Sequence, residues 1–401
     1  FKVGYYIERE RNGEMEKVFV ADGYYSNLSG AIKGYIKGEI LSIDKDTNKE
    51  IFEELKKLYS GKRVLLTGHT GFKGSWMSKI LIMCGAKLTG YALNPPTYTN
   101  LFDILDLKGE INSVIGDIRD LEHLKKVFSE VQPEYVIHMA AQPLVRDSYD
   151  RPVYTYETNV MGTVNILECL RLSDSVKSFL NVTTDKVYEN KEQEEGYVEE
   201  DYLDGYDPYS NSKSCSELVT HSYKKSFLEN LPISTARAGN VIGGGDFAKD
   251  RIVPDCVRAA VEKKMVIIRN PNSIRPFQHV LEPLFIYLKI ITKQVENREK
   301  YEGYFNIGPD DSDCINTKTL VEGFKRAWGE NFDFDIRPDG GPHEAGFLKL
   351  NCNKLKSVYA WKPKIDVNSA IDLSVEWYKA WSNGEDMIDI TAKQIELYMD
   401  K

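Results

Sequence analysis

The stretch Gly61–Ser75, GKRVLLTGHTGFKGS, constrains this chain more than any other. Arg63–Thr67 is a short apolar run suited to a buried parallel strand. Gly68, Gly71 and Gly74 follow at the spacing of a turn that leads straight into a helix from Trp76 to Cys84. Such a turn makes three demands. The chain must reverse sharply, the backbone must approach a pyrophosphate, and the helix must pack close to the strand. Each demand removes a Cβ, so each falls on a glycine. The first helical N–H groups, near Phe72, then face the phosphates with the helix dipole behind them. A GxxGxxG run alone is a weak signal; the strand before it and the helix after it favour a dinucleotide site.

The pattern beyond Arg63 alternates strand and helix. Strands are predicted at Lys87–Ala92, Ile111–Ile115, Tyr135–Met139, Ser178–Thr183 and Ile233–Ala236. Helices are predicted at Leu121–Glu130, Pro152–Leu172 and Tyr209–Leu228. This implies an α/β fold, a doubly wound parallel sheet with helices on both faces and right-handed crossovers. Ligands of such sheets bind at the carboxyl ends of the strands. Those ends carry Gly68–Gly74, Asp117 with Ile118, Ala140-Ala141-Gln142, and Thr183–Lys186. Past Asn240 the alternation weakens. Gly243-Gly244-Gly245 reads as a flexible break. Helices to about Glu262 and near Thr319–Trp328 and Val367–Trp381, a strand near Met265–Arg269 and the segment Tyr304–Gly308 read as a smaller lid-like domain closing on the strand ends.

Residues 1–45 look different. Lys2–Glu10 and Met15–Ala21 are strand-like around Asn12-Gly13, a hairpin signal. A Tyr-rich piece with Gly23, Gly30, Gly34 and Gly38 follows, and Thr47 is placed to cap a helix ending at Gly61. The chain begins at Phe1, which leaves room for a truncated or fused upstream segment.

Composition narrows the class. The 401 residues, 42% hydrophobic, allow one large or two ordinary domains. A net charge of -9 argues against nonspecific nucleic-acid binding. It leaves room for a local arginine pocket that holds an anionic substrate. No apolar run approaches the length of a membrane span. The six cysteines lack CxxC spacing, so free thiols in a reducing cytoplasm are expected. The six histidines form no ligand pattern, so no catalytic metal is expected. Glu192–Asp201 is an acidic run that reads as a solvated loop.

Tyr209-Ser-Asn-Ser-Lys213 opens a helix after the fifth strand, and positions i and i+4 share one face. An unperturbed phenol titrates at about 10 and is a poor base at neutral pH. An ammonium one turn away, with the positive charge of an oxidised nicotinamide, would lower that value. Tyrosinate then takes a hydroxyl proton while hydride leaves the same carbon. YxxxK by itself also fits an ordinary surface turn; its position relative to the glycine turn raises it above that.

Taken together, GHTGFKG, HMAAQ at 138–142 and YSNSK resemble the extended branch of the short-chain dehydrogenase/reductases. TTDKVY at 183–188, AGNVIGGGD at 238–246, IRPFQHVLEP at 274–283 and PHEA at 342–345 resemble, within it, the CDP-glucose 4,6-dehydratases. The likeness covers 48–401. It implies a Rossmann domain at 48–240 and a smaller α/β domain at 241–401 that mainly binds a nucleotide-sugar, with some segments returning to the Rossmann domain; residues 1–47 stand as an extension. It also implies NAD as a recycled cofactor. CDP-D-glucose would become CDP-4-dehydro-6-deoxy-D-glucose by C4 oxidation, loss of water across C5 and C6, and hydride return to C6.

On that resemblance Tyr209 is the C4 base, Lys213 holds the nicotinamide ribose, and Thr184 bonds near O4. Asp185 is the acid for the leaving C6 hydroxyl; a Thr-Asp pair after a strand also fits a simple cap. Lys186 stands where dehydratases acting on dTDP-glucose carry glutamate as the C5 base. A lysine there is either a base with a lowered pKa, or a cation that steadies the enolate or contacts the cofactor while another group or water moves the proton. The cofactor set is Gly68, His69, Gly71, Phe72, Lys73, Gly74, Asp117 (toward the adenine amine), Ile118, Ala140, Ala141, Gln142, Tyr209 and Lys213. His69 reads equally as a cofactor contact and as a surface turn residue. Strand two ends at Tyr91-Ala-Leu-Asn94-Pro-Pro without the carboxylate that NAD sites often place there. Arg251 and Arg275 are candidates for the substrate pyrophosphate, with Asn240 and His343 lining the same pocket.

Three other readings remain open. A nucleotide-sugar 4-epimerase would use the same tyrosine and cofactor but would not need Asp185-Lys186. A 4,6-dehydratase acting on another nucleotide-sugar is not separated by side-chain physics alone. A silent dinucleotide sensor is opposed by Tyr209, Lys213 and Asp185. The resemblance further implies a homodimer or tetramer paired through helices near 152–172 and 209–228, and a place in deoxysugar synthesis for surface polysaccharide (O-antigen, lipopolysaccharide).

Overall fold

The computed structural model describes residues 2–11, 14–24, 53–330, 332–337 and 347–399. The Asn12-Gly13 turn, the Tyr-rich piece beyond Tyr24, Thr47 and the Pro342–Ala345 motif lie outside the described residues. Lys2–Arg11 and Glu14–Tyr24 pair antiparallel, with Arg11 opposite Glu14, as the hairpin reading expected.

Seven parallel strands form the centre: β1 (Arg63–Thr67), β2 (Lys87–Ala92), β3 (Asn112–Ile115), β4 (Tyr135–His138), β5 (Ser178–Thr184), β6 (Ile233–Ala238) and β7 (Tyr304–Ile307). Their order across the sheet is β7-β6-β5-β4-β1-β2-β3. The chain starts in the middle at β1, runs outward to β3, then returns to β4 on the other side. The crevice between the ends of β1 and β4 is therefore the switch point where ligands of such sheets sit.

Alternation along each strand explains the two faces. Val64 and Leu66 join a core cluster with Trp76 and Ile80 of α1 (Phe72–Met83), while Leu65 joins one with Leu124 and Phe128 of α2 (Leu121–Val131). Ile137 and Val136 divide in the same way. A strand buried on both faces reads as a continuous apolar run, which is why the central strands were legible. On the α2 side lie Gly162–Arg171 and α3 (Pro208–Ser226); on the α1 side lies α4 (Leu281–Glu296).

Three features depart from the sequence expectation. The helix predicted at Pro152–Leu172 is interrupted by a widened π turn at Glu157–Met161. This turn directs the buried Asn159 at the β4 end, where its Oδ1 accepts from Gln142 N at 2.8 Å. Secondly, Tyr304–Ile307, read above as part of the lid, pairs with β6 as the edge strand of the main sheet, so 281–307 is among the segments that return to it. Thirdly, Gly243-Gly244-Gly245 is not a flexible break. All three are buried. A Cβ on Gly244 would lie 2.0 Å from the Trp377 ring, and Trp76 Nε1 donates to Gly244 O at 2.9 Å. Gly244 is there because a tryptophan of α5 (Val367–Ser382) occupies the space, while a Cβ on Gly243 would meet Val280 and one on Gly245 Leu101.

Over the strand ends lie short pairs: Val241–Ile242 with Gln278–His279, Met265–Ile268 with Asp333–Ile336, and Ile274–Pro276 with Cys314–Asn316. The helix Ile252–Val261 and α5 pack among them. A cavity of about 770 Å³ opens between these elements and the sheet.

Candidate active site

The three glycines of the turn meet different surroundings. Gly68 has φ +80°, and a Cβ there would sit 2.9 Å from Ala140 N, so it closes β1 against β4. Gly74 lets α1 approach, because its Cβ would lie 2.0 Å from Gly68 O. Gly71 has ordinary dihedrals, φ −82° and ψ 172°, and its Cβ would meet only Gly68 O at 3.5 Å. No protein atom forbids a side chain there; the cavity lies beside it. Gly71 thus leaves room for something that is not protein. It is also the N-cap of α1, with no capping side chain and no acid in the first turn. Free N–H groups and the dipole face the cavity, which fits a diphosphate.

Phe72, Lys73, Asp117, Ile118, Ala140, Ala141 and Gln142 border the same cavity. The Asp117 carboxylate is gripped by Arg119, with Nη2 to Oδ2 at 2.7 Å, which holds its pKa below the usual range. Leu93 and Asn94 of the strand-two end are also at the wall. His69 is not. Its ring is buried beneath β2, where a Cβ on Gly90 would touch it at 2.2 Å, and Nε2 bonds Ser113 Oγ at 2.8 Å. Burial lowers its pKa to about 4. Both sequence readings of His69, cofactor contact and surface residue, are corrected: it is a neutral packing residue that braces the turn against β2 and β3.

The chemistry-bearing residues converge at the ends of β5 and α3. Thr184 Oγ1 donates to Asp185 Oδ1 at 2.9 Å, and Lys186 Nζ donates to the same oxygen at 3.0 Å. Lys186 Nζ also reaches Asn240 Oδ1 at 3.3 Å. Asp185 is fully buried, and its Oδ2 has no protein partner. Tyr209 and Lys213 border the cavity beside them. They are placed by the helix start, where Asp207 caps Ser210 N at 3.0 Å and Pro208 occupies the first turn.

The protein alone does not lower the Tyr209 phenol as the sequence expected. Burial pushes it up to about 12, opposed by a hydrogen bond with Thr184. Lys213 is turned to Val182 O at 3.0 Å, and burial lowers its pKa to about 8. Lys73 donates to Tyr287 OH at 3.1 Å; burial and then the Lys213 and Arg251 charges bring it to about 7.

Arg251 and Arg275 both border the cavity, with Arg269, Ser273 and Thr317. Arg251 begins the helix Ile252–Val261, whose N-terminus is a second one without a capping side chain. One cavity therefore receives two open helix N-termini and several guanidiniums, an arrangement for two anionic groups. His343 lies outside the described residues.

Sequence reasoning missed two supports. Glu217 lies one turn beyond Lys213, on the same face, and accepts from Thr183, Thr235 and the Arg237 guanidinium (Nε 3.0 Å). Its i+4 spacing was the available signal. Asp246, in the quoted AGNVIGGGD, pairs with Arg251 at 2.8 Å. Among the described residues no group of three His, Cys, Asp or Glu is placed to hold a metal, and no helix is long and apolar enough to cross a membrane.

Fold and site together define a dinucleotide-dependent sugar-nucleotide enzyme of the extended short-chain dehydrogenase/reductase type. The chain belongs to the GDP-mannose 4,6 dehydratase family, whose model matches residues 65–373. It is 45% identical to a CDP-glucose 4,6-dehydratase of Salmonella typhimurium over 351 residues, which covers 86% of this chain and 98% of that one. It is 25% identical to a CDP-paratose 2-epimerase of Salmonella typhi, over 79% of this chain and 98% of the other. Among solved structures, a dTDP-glucose 4,6-dehydratase from Bacillus anthracis in complex with NAD matches with a TM-score of 0.66. That match has 23% identity and covers 80% of this chain and 97% of that one.

Proposed function

We propose that this chain is a CDP-glucose 4,6-dehydratase, converting CDP-D-glucose to CDP-4-dehydro-6-deoxy-D-glucose with NAD. The observation that carries the reading is the convergence of Asp185-Lys186 with Tyr209 at one cavity wall. Oxidation at C4 needs only the tyrosine; a carboxyl joined to an amine is what elimination adds. The 45% identity to a CDP-glucose 4,6-dehydratase supports the nucleotide.

When bound, NAD supplies the hydride acceptor for C4 and the donor for C6. The residues do the rest. Tyr209 takes the C4 hydroxyl proton. Its phenol, raised by burial, gains from a positive nicotinamide nearby, which would bring it toward neutrality. The C4 ketone acidifies the C5 proton. Asp185 gives a proton to the departing C6 oxygen, and Lys186 serves the C5 side. Lys213 holds the nicotinamide ribose. Gly71 and the open α1 N-terminus bind the dinucleotide diphosphate. Arg251, Arg275 and Asn240 take the nucleotide-sugar.

Pairing of two copies through the helices near 152–172 and 209–228 is supported by exposed apolar residues there: Val153 (70% exposed), Met161, Leu172, Leu218 and Phe227. The same reading, with the resemblance, implies a cytoplasmic deoxysugar pathway. The deciding experiment incubates the protein with CDP-glucose beside dTDP-, UDP- and GDP-linked sugars, with and without added NAD. A 4-keto-6-deoxy product from CDP-glucose is expected. A product that retains the C6 hydroxyl rejects the reading and favours an epimerase.

A further inference from the structure

Asp246 takes no step in the proposed reaction, yet it is buried and held through both its side chain and its backbone. It is 6% exposed. Its Oδ1 accepts from Ala248 N at 3.1 Å, and its carbonyl oxygen accepts from the Tyr378 hydroxyl of α5 at 2.6 Å. Two residues earlier, Gly244 is pinned by Trp76 and Trp377. What this anchorage presents to the cavity is Asp246 Oδ2, which accepts from Arg251 Nη1 at 2.8 Å. The Arg251 side chain is about one third exposed (34%) and borders the cavity at the open N-terminus of the helix Ile252–Val261.

We propose that Asp246 is a positioning residue for substrate: anchored by Tyr378, it fixes the Arg251 guanidinium so that its remaining donors face the diphosphate of a nucleoside-diphosphate sugar. A guanidinium has five N–H donors in a rigid fork. Committing one nitrogen to a fixed carboxylate orients the others, which spares the rotamer entropy that a free arginine loses on binding. The Asp246 charge by itself repels the substrate, so its benefit lies in orientation and not in attraction. The inference rests on the nucleotide-sugar reading.

The test measures CDP binding by calorimetry beside steady-state kinetics. Asp246→Asn is expected to weaken CDP by about tenfold, the scale of one charge-assisted hydrogen bond, with the loss in turnover falling on KM more than on kcat. Asp246→Glu recovers part of it. Tyr378→Phe removes the anchor without changing charge and is expected to weaken CDP by about threefold; it carries the test if Asp246→Asn does not fold. Wild-type CDP affinity in these variants, or an equal loss of NAD affinity that marks a general structural fault, overturns the inference. A wild-type protein that binds CDP but leaves CDP-glucose undehydrated rejects the functional reading and leaves this inference standing.

Discussion

The Lys186 ammonium donates to Asp185 Oδ1 at 3.0 Å, inside a wall where Asp185 has no exposed surface. On the proposed function, elimination needs Asp185 as the acid for the departing C6 oxygen and Lys186 on the C5 side. Because Oδ1 already accepts from both Thr184 and Lys186, Oδ2, which has no protein partner, is the oxygen left to meet the C6 hydroxyl. Lys186→Met and Asp185→Asn should therefore both permit C4 oxidation and block water loss, by about 10²–10⁴-fold. Reduced cofactor should accumulate on mixing with CDP-glucose. Normal release of keto-deoxy product by either variant would remove that residue from the elimination step.

Tyr209→Phe should bind NAD normally but oxidise C4 at least about 10²-fold more slowly. The phenol sits at about 12 in the protein alone, so a cofactor-free titration of tyrosinate absorbance should show no Tyr209 signal near neutrality. A lower-pH tyrosinate signal, absent in the phenylalanine variant, should emerge with NAD bound. Unchanged turnover in Tyr209→Phe would exclude it as the base.

Lys73 should make cofactor binding depend on pH. Burial first, then the Lys213 and Arg251 charges, lowers it to about 7. A bound diphosphate favours its charged form, so binding takes up protons. Affinity for NAD should then be greatest below about pH 7 and fall as pH rises through the free-state value toward the higher bound-state one. Calorimetric titration across pH values about one unit and more either side of that value reads this directly. Affinity that stays flat or rises would show that its charge does not contribute. Lys73→Met should remove the slope.

Gly71 and Gly74 should separate binding from folding. Gly71→Ala meets only Gly68 O at 3.5 Å at an ordinary φ of −82°. Its stability should change by less than about 0.5 kcal/mol, while NAD affinity falls tenfold or more (about 1.4 kcal/mol) because the methyl enters the diphosphate's space. Gly74→Ala drives a methyl to 2.0 Å from Gly68 O and should cost about 2 kcal/mol or more of stability. Denaturant melts and NAD titrations of both should show opposite patterns. A strongly destabilised Gly71→Ala would mean that protein packing, and not a ligand, selects the glycine.

The sheet was legible because its strands are buried on both faces and its turn chemistry is local. β1, β2, β4, β5 and β6 lie within one or two residues of their predicted bounds. β7 was hidden because Tyr304–Ile307 is short and follows elements of another layer; only pairing to β6 reveals it. His69 misled for a related reason. A histidine inside a glycine turn offers two sides, and the space left by Gly90, 21 positions later in the chain, decides which one it takes. Gly243–Gly245 misled because composition does not distinguish a free glycine from one pressed against Trp377. The pairing of Tyr209 with Lys213 was readable from i+4 spacing, but the raised phenol was not, because its burial is set by the tertiary structure.

Beneath Tyr209 and Lys213 lies a buried charge pair, and it yields a stability prediction. Glu217 accepts from Thr235 Oγ1 at 2.6 Å and from Arg237 Nε and Nη2 at 3.0 and 3.1 Å. Arg237 continues to Tyr188 OH at 2.8 Å and Glu199 O at 3.0 Å. Both partners are at most 2% exposed. The network fastens α3 to β5 and β6 from below, one turn from Lys213. Removing one partner strands the other charge away from water, so Glu217→Gln or Arg237→Met should each cost about 3–5 kcal/mol. The double variant Glu217→Gln/Arg237→Met should cost less than the sum, since no unpaired ion is left. Catalysis should suffer as well, because Tyr209 and Lys213 ride on the same helix face. Chemical denaturation of the three variants measures this. Additive losses, or single variants as stable as wild type, would show that the pair does not anchor the catalytic helix.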